Sequence, residues 1–348
     1  MALVVGGLLV GSSATASAQA FVLTFGVELR DCIVHGGANA SDVVNIVWKS
    51  SDGNLKHKET VTADGTTGEW QTACDYNESI ESGDTIKGTI GASTRTLTIP
   101  PMSMTINRVT DKVSGHGPSS AGMQLRLYHY PGFDTSTNST KAVTTNASGA
   151  FAATTVNNKN IIGWDSLHLG YTSPSGDKIG LWQDAPTVYV WLNRPDVRVR
   201  GNPGGDATTT LKSPGGTIKS VHHATLDPWG GDYGYFTKGG LPVRTRAGDT
   251  VIAPGVGSDA HWSVPAINVS ATVPASVVTG HCQPGKAVEL DIFEPQYNFF
   301  YWNVGFANGS GNYSHNFSGD QVLASGDKIQ VWCKLATGDV VTKLSTIP

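Results

Sequence analysis

Asn146-Ala147-Ser148-Gly149-Ala150-Phe151, with Asp165 sixteen residues beyond its glycine, decides the fold because the same phrase is written four times. A Gly-x-aromatic step recurs as Gly68-Glu69-Trp70, Gly149-Ala150-Phe151, Gly234-Tyr235-Phe236 and Gly311-Asn312-Tyr313. Each is followed by a turn that feeds a strand: Gly83-Asp84-Thr85-Ile86, Trp164-Asp165-Ser166-Leu167, Gly248-Asp249-Thr250-Val251 and Gly326-Asp327-Lys328-Ile329. From the glycine of the first anchor to the aspartate of the second the separations are 84−68=16, 165−149=16, 249−234=15 and 327−311=16. The aspartates themselves lie 81, 84 and 78 residues apart. A period near 80 is too long for a solenoid turn and suits one small domain per copy, each large enough for its own core.

The surroundings of the anchors read as strands and turns. Copies open on a valine and a Gly/Pro turn: Val113-Ser114-Gly115-His116-Gly117-Pro118, Val199-Arg200-Gly201-Asn202-Pro203-Gly204 and Val278-Thr279-Gly280-His281-Cys282-Gln283-Pro284-Gly285, with a degenerate Ile33-Val34-His35-Gly36-Gly37 in the first. Met123, Leu125 and Leu127 alternate with Gln124, Arg126 and Tyr128, and Val288, Leu290 and Ile292 with Glu289, Asp291 and Phe293. Period two with one apolar face marks a half-buried antiparallel strand. Closing strands are expected at Leu97-Thr98-Ile99, Val188-Tyr189-Val190, Trp262-Ser263-Val264 and Ser345-Thr346-Ile347. About seven short strands per copy require two packed sheets, since one sheet would leave its apolar face wet. Charged residues are only 15% and the net charge is −4, so nothing resembles a basic nucleic-acid footprint.

The first twenty residues stand apart. An apolar run, Ala2 to Val10, leads to Ala16-Ser17-Ala18-Gln19-Ala20, the form of a secretory signal with a small-residue cleavage site. The run is too short to span a bilayer. Secretion gives the four cysteines a meaning: two lie in the first copy and two in the fourth, and membership pairs Cys32 with Cys74 and Cys282 with Cys333 as disulfides.

The order Val-x-Gly, Pro-Gly, alternating strand, Asn146-Ala147-Ser148-Gly149-Ala150-Phe151 and Gly-Asp-x-Ile resembles the bacterial immunoglobulin-like repeats of surface proteins and adhesins. The resemblance covers nearly all of the chain after the signal and is weakest in the first copy. It implies an all-β chain of four tandem immunoglobulin-like β-sandwich domains at 21–101, 102–191, 192–273 and 274–348, after a signal peptide at 1–20. It also implies an extracellular or cell-surface location and a role as stalk, spacer or self-associating subunit.

The motifs carry shape rather than chemistry, so no catalytic residue, metal site or cofactor is expected, and the chain is not read as an enzyme. Asp84, Asp165, Asp249 and Asp327 read as turn residues bonding their own backbone, with calcium as the rival. His116 and His281 share a turn position, and adjacent His222 and His223 face opposite ways. One stretch departs from the pattern: Phe299, Phe300, Tyr301 and Trp302 put aromatics on both faces of one strand. That means a contact with another subunit, a platform for a sugar ring, or an edge covered at a domain junction. Of eight Asn-x-Ser/Thr sequons, Asn308, Asn312 and Asn316 cluster in one expected loop and are the best glycosylation candidates. The segment 21–29 is apolar enough to be donated to another chain, or is simply the first strand of its own domain. Together these features predict a filament, sheath or adhesin subunit whose partners are copies of itself or other surface components. The alternative is a carbohydrate-binding protein that uses the aromatics of the fourth copy.

Overall fold

The computed structural model describes residues 22–73, 78–133, 136–254, 260–293, 299–317 and 322–348, with backbone only at 260, 274 and 299–304. The signal segment and Cys74 lie outside these residues. The described chain is all-β, with a short 3₁₀ turn at Val273–Ala275.

A layer of three strands and a layer of four recur along the chain. In the first stretch, Leu23–Leu29, Val34–Ala38 and Glu69–Gln71 make the three, and Val43–Lys49, Leu55–Thr62, Thr85–Ile90 and Ser93–Thr98 make the four. The same order returns within 103–184, within 187–263 with one added small hairpin, and within 268–346. Alternation decides the inner face: Leu23, Phe25, Val27 and Leu29 point into the core while Thr24, Gly26 and Glu28 point out.

These strand sets are not separate beads. Leu23–Leu29 pairs antiparallel with Val34–Ala38 on one side and parallel with Lys178–Asp184 of the second set on the other, Val27 facing Ile179. A continuous seven-stranded sheet results. The third and fourth sets repeat the arrangement: Thr187–Trp191 pairs parallel with Val340–Thr346, Val190 facing Val341. Behind each long sheet lies one apolar cluster, running from Leu23 to Ala185 in the first pair and from Val188 to Ile347 in the second. The expectation of one core per copy is therefore corrected to one core per pair.

Two further expectations shift. Val188-Tyr189-Val190 does not close the second copy; Lys178–Asp184 does, and Thr187–Trp191 opens the third set. The boundary expected at 191 thus falls before Thr187, and the fourth set begins at Asn268 rather than 274. The segment proposed for donation is the first strand of its own sheet, with both edges occupied.

The recurring residues have distinct tasks. Gly68, Gly149, Gly230 and Gly311 take φ of 72°, 82°, 78° and 84°, and a Cβ there would lie 2.2–2.5 Å from the carbonyl of Ala38, Gly117, Gly201 or Cys282. Only glycine fits. The third counterpart is therefore Gly230, not Gly234, and its separation from the aspartate is 249−230=19. The aromatic two residues on covers a cross-strand glycine: Trp70 over Gly36, Phe151 over Gly115, Tyr313 over Gly280. In the third set Asp232 faces Val199 instead, and Phe236 fills the core from farther along the chain.

Asp84, Asp165, Asp249 and Asp327 are all buried. Each carboxylate accepts the backbone N–H three residues earlier, from Glu81, Ile162, Arg246 and Ala324 at 2.7–3.0 Å. Asp84 also accepts from the Trp48 indole and Lys56, Asp165 from His129, and Asp249 from Lys219. This is the turn role expected of them, strengthened by a lysine at Asp84 and at Asp249.

The two pairs meet through buried charge. Arg108, 6% exposed, lies 3.1 Å from Asp339, which is 0% exposed. Asp339 also accepts the Val188 N–H at 2.9 Å, and Arg108 donates to the Pro186 and Thr337 carbonyls. One ion pair thus ties the second, third and fourth sets. Beside it the Lys334 ammonium donates to the carbonyls of Tyr130 and Gly132. The Asn202 side chain bonds both N–H and C=O of Ile106.

Two unfolding events, one per shared core, are expected when the full chain is pulled from its ends in single-molecule extension; four separable events would contradict shared cores. Arg108→Met should cost about 3–5 kcal/mol by leaving Asp339 buried without its cation, and Asp339→Asn in the same chain should recover part of it. Urea titration checks this, and an undiminished midpoint in the single variant would remove the ion pair from the junction.

Candidate functional site

The outward face of the first seven-stranded sheet is where period two places unusual side chains. On Lys178–Asp184 the residues Ile179, Leu181 and Gln183 point inward, so Gly180, Trp182 and Asp184 point out. The neighbouring strand Ser166–Thr172 presents His168, and Gly122–His129 presents Arg126 and Tyr128. The Trp182 ring rests on Tyr128 at 4.9 Å and on His168 at 4.8 Å between centroids. His168 Nε2 lies 3.1 Å from Glu28, and Arg126 donates to the Tyr128 hydroxyl at 3.1 Å. Trp182 is held from behind by two planar groups, each fixed in turn, and remains 42% exposed.

The third set supplies the opposite wall. Val197 and Val199 enter its core, which turns Arg198 and Arg200 outward. Arg200 pairs with Asp184 at 2.5 Å, and Ser166 donates to the same carboxylate at 2.8 Å. Arg198 lies over the Tyr189 ring at 5.6 Å, its pKa lowered by burial and then by Arg200. Trp229 sits at the tip of the turn that Gly230 closes; Asp227 accepts the N–H groups of Trp229 and Gly231 at 2.9 and 2.8 Å. Trp229 is 63% exposed. Between these walls lies a cleft of about 460 Å³, lined by both tryptophans, both arginines, Asp184, Asp227 and Glu28.

The cleft continues along the sheet. Glu28 also lines a cleft of about 680 Å³, which shares His35 and Lys178 with another of about 790 Å³. Gly26 and Gly180, lacking side chains, leave room that neighbouring side chains fold into. The His35 ring lies 2.3 Å from where a Cβ on Gly26 would be, and the Glu28 carboxylate 2.0 Å from one on Gly180.

No protein-family model matches this sequence, and no curated protein matches it. Among solved structures the chain is similar to the tetra-tandem repeat in the extending region of a large adhesion protein, at 11% identity and TM-score 0.20, over 94% of this chain and 100% of that one. It is similar to the BSP domain of a biofilm associated protein at 8% identity and TM-score 0.19, over 96% and 98%. A third likeness is to E. coli alpha-2-macroglobulin, at 10% identity and TM-score 0.19, over 96% of this chain and 30% of that one. Likenesses this remote leave function to be argued from the site.

The residues singled out in the sequence fall elsewhere. Cys282 and Cys333 form a buried disulfide, Cα atoms 5.9 Å apart, joining the two layers of the fourth set. Cys32 is disulfide-bonded, while Cys74 lies outside the described residues. Asn308, Asn312 and Asn316 are exposed but do not share a loop. Asn308 caps a turn, accepting from the N–H groups of Ser310 and Asn312, whereas Asn312 and Asn316 begin and end a strand. Phe299, Phe300, Tyr301 and Trp302 lie in the edge strand Phe299–Phe306 of the second long sheet, their side chains outside the described set. Among the described residues no three His, Cys, Asp or Glu side chains are grouped to share a metal ion.

The outward face of the second long sheet carries a row of touching rings, from Phe133 through Trp164, Tyr189, Trp332, Trp191 and Tyr233 to Tyr235. Phe133, Tyr189 and Trp191 are buried while Tyr233 and Tyr235 at the end of the row are exposed, and burial pushes the Tyr189 hydroxyl up to about 12. At its edge the Trp332 indole donates to Asp291 at 2.5 Å. Burial raises the Asp291 carboxyl to about 6 against the lowering effect of that bond. A carboxyl whose folded pKa exceeds its unfolded one stabilises the fold below the unfolded value, and that contribution is lost as pH rises through the folded value. The parent should therefore lose more thermal stability between pH 4 and 6.5 than Asp291→Asn does in parallel melting curves; identical slopes would contradict the assignment.

Proposed function

We propose that this chain is a secreted, non-catalytic structural protein of the surface-adhesin kind, four tandem immunoglobulin-like sandwiches that associate with copies of themselves outside the cell. One comparison carries the reading. The outer strand of the four-stranded layer is eight residues long in every set: Leu55–Thr62, Thr137–Thr144, Ile218–Thr225 and Phe299–Phe306. The first three carry lysine: Lys56 and Lys58, Lys141, and Lys219. Charge on an open edge is a standard guard against pairing with another chain. The fourth, Phe299–Phe306, is rich in aromatics and carries no charge. An unguarded edge among guarded equivalents is suited to pairing strand to strand with a second copy.

Three features accord with that role. The Cys282–Cys333 disulfide suits an oxidising exterior. The recurring aspartates are committed to their turns, as a load-carrying scaffold requires. The shared cores and the Arg108–Asp339 junction link consecutive sets by packing and charge, which suits a load-bearing chain. Sedimentation velocity and electron microscopy of the purified chain should reveal concentration-dependent assemblies, and Tyr301→Lys, which supplies the missing guard, should leave monomers of unchanged circular dichroism. A parent chain that stays monomeric at all concentrations, or a Tyr301→Lys variant that assembles equally well, would refute the reading.

A further inference from the structure

We propose that the cleft between Trp182 and Trp229 is a binding site for a neutral polysaccharide. The inference is independent of self-association, because the cleft lies on the first long sheet and the third set rather than on the Phe299–Phe306 edge.

Exposed tryptophans need a reason. A solvent-facing indole forgoes the burial that a tryptophan usually obtains, and singly it means little. Here two such rings line one cleft: Trp182 is packed on the Tyr128 and His168 rings, and Trp229 is presented by a turn whose backbone Gly230 and Asp227 fix. A rigid aromatic face costs little entropy to use, and it takes the apolar face of a flat ring whose rim is polar.

The polar groups between the rings narrow the ligand further. Three guanidiniums, from Arg30, Arg198 and Arg200, face four carboxylates, from Glu28, Asp31, Asp184 and Asp227. This near balance favours neither a strongly anionic nor a strongly cationic ligand. A sugar hydroxyl both donates and accepts, so it can be held by either kind of group. The Arg198 side chain is half-buried and lies over the Tyr189 ring, and its guanidinium makes no hydrogen bond to another described residue, which leaves its donors available for such a ligand. The cleft is not a closed pocket for one small molecule. Through Glu28, His35 and Lys178 it runs on across the strands Lys178–Asp184, Leu23–Leu29, Val34–Ala38 and Glu69–Gln71. At the usual 4.8 Å strand spacing, that is a track of roughly 15 Å.

Affinity electrophoresis of the full chain, made monomeric by Tyr301→Lys, tests this against soluble xylan, β-glucan, mannan and dextran, with alginate and polygalacturonate as charged comparators. At least one neutral polymer should retard the protein. Trp229→Ala, which alters only an exposed turn tip, should weaken that retardation about tenfold, in line with the loss of one ring contact. Arg198→Gln should weaken it too, while Trp302→Ala should leave it unchanged. No retardation by any neutral polymer, retardation unaffected by Trp229→Ala, or retardation lost with Trp302→Ala instead would each overturn the proposal. Retardation by the charged polymers alone, abolished by salt, would overturn it as well.

Discussion

The parallel pairing of Leu23–Leu29 with Lys178–Asp184, and of Thr187–Trp191 with Val340–Thr346, is the contact on which the architecture rests. A sandwich whose first strand has a free edge can stand alone. Once that edge is hydrogen-bonded to the last strand of the following set, the two sheets become one surface and the apolar faces behind them must share a filling. Val27 facing Ile179, and Val190 facing Val341, place buried aliphatic side chains on both sides of each seam. The seam is therefore made of core rather than of a linker. Relative motion within a pair would require breaking a ladder and opening a core together, which is far costlier than bending a loop.

Much of this was legible in the sequence, and the failures have physical causes. Turn glycines and buried aspartates recur because backbone geometry leaves no substitute, so three of the four glycine anchors and all four aspartate anchors were placed correctly. The third glycine was misplaced because Gly234-Tyr235-Phe236 imitates the phrase four residues after the true turn glycine, Gly230, and the separation of 15 disguised an insertion. Val188-Tyr189-Val190 was assigned to the wrong set because a strand that closes one domain and a strand that opens the next are equally apolar when both are buried. Nothing local distinguishes them. Pairing between sets was invisible for the same reason: the occupied edge of Leu23–Leu29 differs from a free edge only in its partner, and the sequence records no partner.

The candidate site was the least legible part. Trp182 sits in Gly180-Leu181-Trp182-Gln183, where a reader sees one more apolar strand residue. Its outward direction depends on the register of Leu181 with Leu29 and Leu169, which only the folded sheet defines. Trp229 was the available clue, since an indole between Pro228 and Gly230 stands at a turn tip with nowhere to hide. The aromatic run in the fourth set is more conspicuous as a string but lies on an edge strand.

The cleft's location follows from the pairing. The parallel ladder occupies the inner edges of each pair, and the cleft between Trp182 and Trp229 lies where the first pair ends and the second begins. There the second set contributes an outward strand face, the third contributes its opening arginines and a turn, and neither could complete the cleft alone. The buried contacts beside it, Arg108 with Asp339 and Asn202 with Ile106, hold the two walls in fixed relation. That explains how two large rings can be left in water without collapsing onto each other. Trp182 is braced by Tyr128 and His168 of its own set, Trp229 is carried on a turn of the next, and the buried ion pair and amide join the two sets that present them.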